Sequence, residues 1–169
     1  MDNATHPDLE RLNVLLQDMG DDGREEIGLL PMPSLRHCGY SQAPHNSLSF
    51  ATTGGDGVHF SFLALEDTAT TFWPVVMTVP MNFGDENLIV GADLREFLGL
   101  GLRHGYFEPE QLLYKPDETF AWLDHDSDEE PPSADKVRAL AAIRQTFEIR
   151  PWESHGPRIA ELQAQFPLD

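Results

Sequence analysis

Two β-type runs flank Gly54-Gly55-Asp56-Gly57, and no other stretch of the chain limits its possible folds so sharply. Residues 47–53 read as one strand. Residues 58–65 alternate, with Val58, Phe60, Phe62 and Ala64 on one side and His59, Ser61, Leu63 and Leu65 on the other. Glycine accepts positive φ without steric cost, so the four residues between the runs predict a hairpin turn. A phosphate cradle is the competing reading. Such a loop opens a helix and carries a lysine, whereas these glycines lead into a β-run and no lysine follows. Residues 73–79, rich in valine, give a third strand and residues 88–90 a short fourth, with a polar turn at 82–87.

Helical spacing brackets this β-rich centre. Thr5 can cap and Pro7 suits a first turn, while Leu9, Leu12, Leu15, Leu16 and Met19 recur at three and four; Gly20, Asp21, Asp22 and Gly23 are expected to end that helix. Pro31, Pro33 and Pro44 break up residues 27–46, read as mostly loop with at most a short strand or turn of helix. Asp93 and Glu96 resemble a capping box opening a helix that buries Leu94, Phe97, Leu98 and Leu102, in which Gly99 and Gly101 permit a close approach to the sheet. His104-Gly105 ends it. Residues 109–114 predict another short helix and 120–123 a strand-like piece. Residues 133–147 form the strongest late helix, with Val137, Leu140, Ile143 and Phe147 inward, and Pro157 starts a last one through Ile159, Leu162 and Phe166. Strands grouped centrally between helices predict an α+β fold, a central antiparallel sheet with flanking helices in a single domain over residues 1–169. Its C-terminal helices span 133–166, behind an acidic loop at 117–130.

Charge narrows the function. The 169 residues hold 11 Lys and Arg against 29 Asp and Glu, a net charge of −18. That excess exceeds the roughly 2–8 charges that keep a small domain soluble. It repels phosphate backbones and anionic lipid, which argues against direct nucleic-acid or membrane binding, and it steers basic proteins inward. No apolar run nears the roughly 20 residues of a membrane span, and the opening Met-Asp-Asn-Ala-Thr-His is acidic where an export signal is basic. One cysteine rules out a disulfide framework. A reducing cytoplasm is the expected compartment.

Few constellations point to chemistry. Cys38 with a histidine could make a thiol nucleophile and base, yet Arg36-His37-Cys38-Gly39-Tyr40 matches no cysteine-protease signature, so a structural Cys38 is expected. His37, Cys38 and His45 lack zinc-site spacing. Asp124-His125-Asp126-Ser127-Asp128 begins like a calcium loop, but Glu129 stands where glycine is needed and Asp135 where a bidentate glutamate belongs. No catalytic, cofactor or metal residue is therefore assigned, and no cofactor is expected. Seven carboxylates lie between 117 and 130 with no lysine or arginine among them, and five of these, Asp124, Asp126, Asp128, Glu129 and Glu130, with Trp122 as an aromatic anchor, are the candidate landing site for a basic protein.

The run Thr53-Gly54-Gly55-Asp56-Gly57-Val58-His59-Phe60-Ser61-Phe62, then residues 74–81, then 87–98 ending in Leu94-Arg95-Glu96-Phe97-Leu98, resembles the bacterial SUKH superfamily, the Smi1/Knr4-like proteins. The resemblance covers residues 47–114. Of the family's Leu-Pro and following helix, only Leu30-Pro31 is present, followed by Met32-Pro33. It implies an α+β fold on an antiparallel sheet and a non-enzymatic immunity-type role, in which an acidic surface occludes a basic toxin such as a nuclease. It carries no catalytic residues across. The alternatives are a small hydrolase using Cys38 and a histidine, or a regulatory scaffold without a toxin.

Overall fold

In a computed structural model, which describes residues 5–126 and 130–168, the chain forms one five-stranded antiparallel sheet with helices packed on it. The strands are β1 (Leu30–Arg36), β2 (Ser47–Thr52), β3 (His59–Leu63), β4 (Val75–Thr78) and β5 (Asn87–Gly91), lying in sequence order across the sheet. The helices are α1 (Pro7–Ile27), α2 (Leu94–Leu100), α3 (Gln111–Tyr114), α4 (Pro116–Leu123), α5 (Ala134–Phe147) and α6 (His155–Gln165). Fold class and hairpin are as the sequence predicts: Thr52 pairs with His59 across the Gly54–Gly57 turn, where Gly54, Asp56 and Gly57 have positive φ.

An aromatic part of the core lies on the face of the sheet that α2 covers. Phe50, Phe60 and Phe62 meet there, Phe97 of α2 packs on Phe50 and Phe60, and the Phe97 ring touches Tyr106. The hydroxyl of Tyr106 donates to Leu98 O at 2.7 Å, which satisfies its one polar atom in a wholly buried place. His6 caps α1 in place of Thr5, accepting from Leu9 N, and its ring stacks on Phe62.

Several elements differ from the sequence reading. α1 does not stop at Gly20: that glycine leaves helical geometry (φ 78, ψ 174), and the helix resumes to Ile27 beyond the kink. β1 occupies the proline-broken stretch read as loop. It is an edge strand pairing only with β2, so the missing N–H groups of Pro31 and Pro33 break no ladder on its open side. Residues 116–123 are helix α4, so 117–123 of the expected acidic loop are helical and 120–123 are not a strand; Pro116 at the first turn, followed by Asp117 and Glu118, is the start signal. Val137 is exposed, and Ala139 takes its place inside α5. α6 begins two residues before Pro157. Asp93 does cap α2, accepting from Glu96 N at 2.8 Å, while the Glu96 carboxylate accepts from Ala92 N at 2.6 Å. Gly99 and Gly101 admit Trp152 and Tyr106 rather than the sheet.

Candidate functional site

On the sheet face opposite Phe60 and Phe62, buried polar side chains stand beside apolar Val76 and Ile89. On β3 the residues opposite Phe60 and Phe62 are His59 and Ser61, and their cross-strand partners include Thr52, Ser49 and Thr78. Ser49 and Ser61 share a hydrogen bond of 2.7 Å, and Thr78 donates to Asn87 Oδ1 at 2.7 Å, so these hydroxyls need no water. Segment 37–46 runs across this face as a strap. Cys38 and Tyr40 meet His59, Ala43 is buried, and the Asn87 amide donates to Gln42 O at 2.7 Å. Beside the strap lies a groove of 750 Å³ bordered by Gln42, Pro44, Leu63, Leu65, Asn87 and Phe166.

Under the strap, Cys38 Sγ lies 3.0 Å from His59 Nε2. The other ring nitrogen, Nδ1, lies 2.7 Å from Gly57 O, an acceptor, so Nδ1 carries the proton and Nε2 presents its lone pair to sulfur. Burial holds the imidazole below its ordinary pKa, against the opposing pull of the Gly57 carbonyl, and neighbouring His37 lowers it further. His59 is the thiol's partner that sequence spacing did not single out, because 21 residues separate them and only the strap brings them together. The zinc trio does not assemble: among the described residues no three His, Cys, Asp or Glu side chains could hold a metal. His37 instead accepts from Gly39 N, and His45 is exposed.

The proposed landing site is divided. Asp124 accepts from both Nδ1 (2.6 Å) and the backbone N (2.9 Å) of His155, itself buried. Partial burial raises the carboxyl's pKa, but these two hydrogen bonds and the charge of Arg103 outweigh that and hold it below the ordinary value. Asp126 pairs with Arg103 at 2.8 Å. Arg103 in turn donates to Trp152 O at 2.6 Å. Trp122 is half-buried, its ring against His104 at 3.9 Å between centroids. Glu130 is exposed, and Asp128 and Glu129 lie outside the described residues. Two of the five acidic candidates thus have partners inside the fold, which a count of charges along the sequence does not reveal.

A second acidic surface forms at one end of the sheet. His59 pairs with both Thr52 and Thr78, so the β2–β3 and β4–β5 turns emerge together, beside the start of β1. Tyr40 and Pro80 lie against Gly57, and Phe107 lies against Gly28. The exposed side chains here are Tyr40, Met81, Phe83 and Phe107, with Phe83 at 77% exposure. Segments 53–58, 79–86 and 105–110 add Asp56, Asp85, Glu86, Glu108 and Glu110 and contain no lysine or arginine. Burial raises the Glu110 pKa against a hydrogen bond from Gln111, and the charges of Asp56 and Glu108 raise it further. One oxygen of Glu108 is buried without a hydrogen-bond partner.

No family model matches the chain, and neither the curated proteins nor the solved structures contain a match. Among the described residues no helix is long and apolar enough to cross a membrane.

Proposed function

We propose that the chain is a non-enzymatic binding domain that captures a basic protein through the turn end of its sheet. One observation carries this reading: Tyr40, Met81, Phe83 and Phe107 stand exposed among five carboxylates in segments without a cation. Aromatic and methionine side chains are the usual anchors of an interface, and a rim of one charge sign sets which partner approaches. The mutual repulsion of Asp56, Glu108 and Glu110 is a cost that a partner's arginine or lysine would relieve. The SUKH resemblance makes the specific form of the proposal an immunity protein of the cytoplasm that covers the active site of a basic toxin, such as a nuclease.

The test is a photo-crosslinking amino acid placed at Phe83 and, in a second version, at exposed Val137 on α5. The partner joined through position 83 is expected to be basic, and Phe83→Ala is expected to weaken its binding by about tenfold or more. Equal capture from both positions, or an acidic partner, contradicts the proposal.

A second reading, a thiol hydrolase, draws on the Cys38–His59 contact. Neither residue borders the groove beside the strap. Hydrolytic turnover of ester substrates that disappears in Cys38→Ser would favour it over the binding reading.

A further inference from the structure

We infer that Cys38 is a reactive thiol with His59 as its base, a site of covalent modification by small disulfides. The geometry has the three parts that an activated nucleophile needs. Sulfur lies 3.0 Å from Nε2, the opposite nitrogen is fixed by Gly57 O at 2.7 Å, and the ring is clamped by its stack on Tyr40, 5.5 Å between centroids and 16° from parallel. The imidazole is buried while Cys38 is only partly so, which shields the base from water and makes the thiol the more exposed member of the pair.

The step balances without any further reagent. The thiol proton passes to His59 Nε2 as sulfur attacks one sulfur of a disulfide R–S–S–R. A new S–S bond forms between Cys38 and RS, and the old one breaks. Cys38 sulfur is oxidised and the departing sulfur reduced, and the departing thiolate recovers the proton from His59 to leave as RSH. Burial keeps His59 neutral at neutral pH, so its Nε2 lone pair can take the proton, and the same burial disfavours the imidazolium, which returns the proton to the departing thiolate. Tyr40 lies two residues on and belongs to the exposed end of the sheet, so the adduct sits at the margin of that surface. The inference does not depend on what that surface binds.

The experiment uses the whole chain and an uncharged disulfide, bis(hydroxyethyl) disulfide, with adduct formation followed by mass spectrometry. An ordinary thiol of pKa about 8.5 slows roughly twenty-five-fold between about pH 9 and about pH 7. The His59-assisted thiol is expected to slow by less than about threefold over the same interval. In His59→Gln the ordinary slope should return, and Cys38→Ser should take up nothing. Three results would each overturn the inference: no adduct on the native protein, an ordinary slope in the unmodified chain, or a flat slope that survives in His59→Gln. The slope of the unmodified chain decides the matter even where a variant fails to fold.

Discussion

Asp124 shows how a single residue changes meaning between sequence and fold. Along the chain it is one of seven carboxylates without a neighbouring cation; in the fold it holds the N-terminus of α6 through His155. Asp124→Ala leaves two donors of a buried residue without an acceptor, and a loss of about 1–3 kcal/mol in unfolding free energy is expected by urea titration. Asp124→Asn keeps an acceptor oxygen and should recover part of that loss. If Asp124→Ala costs nothing while slowing association with a partner, the carboxylate belongs to an interface and not to the α6 cap. Around Cys38 the local sequence carries no signature, and its hydrogen-bond partner lies on β3, 21 residues away, so no reading of spacing alone could pair it with His59.

At the scale of elements, strands and caps were legible because their signals are local. Alternation fixed β3, glycines with positive φ fixed its turn, and Asp93 with Glu96 fixed the start of α2. What escaped depends on position in the sheet. Prolines in β1 argue against a strand until the strand is known to be an edge, and a polar Ser61 or His59 looks solvent-facing until a strap covers it. Residues 120–123 continue the helix that Pro116 starts four residues earlier, a start signal that outweighs the apolar character of Phe120, Trp122 and Leu123. The junction of β5 and α2 is a close approach between backbones. A Cβ on Gly91 would lie 2.6 Å from Phe97 N and 2.9 Å from Asp93 O, backbone atoms that cannot swing aside. Gly91→Ala is therefore expected to destabilise the protein by about 1–3 kcal/mol, read as a lower urea midpoint with an unchanged slope. An unaltered midpoint would show that the junction is looser than described.

For the whole molecule, charge and burial together set how stability follows pH. His6 and His59 are held below the ordinary imidazole value by burial, so the unfolded chain binds protons at these sites before the folded one does. Their contribution is complete above about pH 6.5 and declines as pH falls below it. Asp8, whose pKa the Arg95 guanidinium lowers, and Asp124 contribute above about pH 4 and are lost as pH drops through their folded values. Urea midpoints should thus fall in two stages on acidification, and removing the first stage requires changing both histidines. On the proposed reading, the 29 acidic against 11 basic residues would also set which partner the turn end of the sheet accepts. The most direct measurement of that claim is amide hydrogen exchange of the free protein against its complex with the crosslinked partner. Exchange is expected to slow by about tenfold or more in segments 53–58, 79–86 and 105–110, with α5 and α6 unchanged. Protection confined to α5, α6 or the stretch after Leu123, with the three turn segments exchanging as in the free protein, would contradict it.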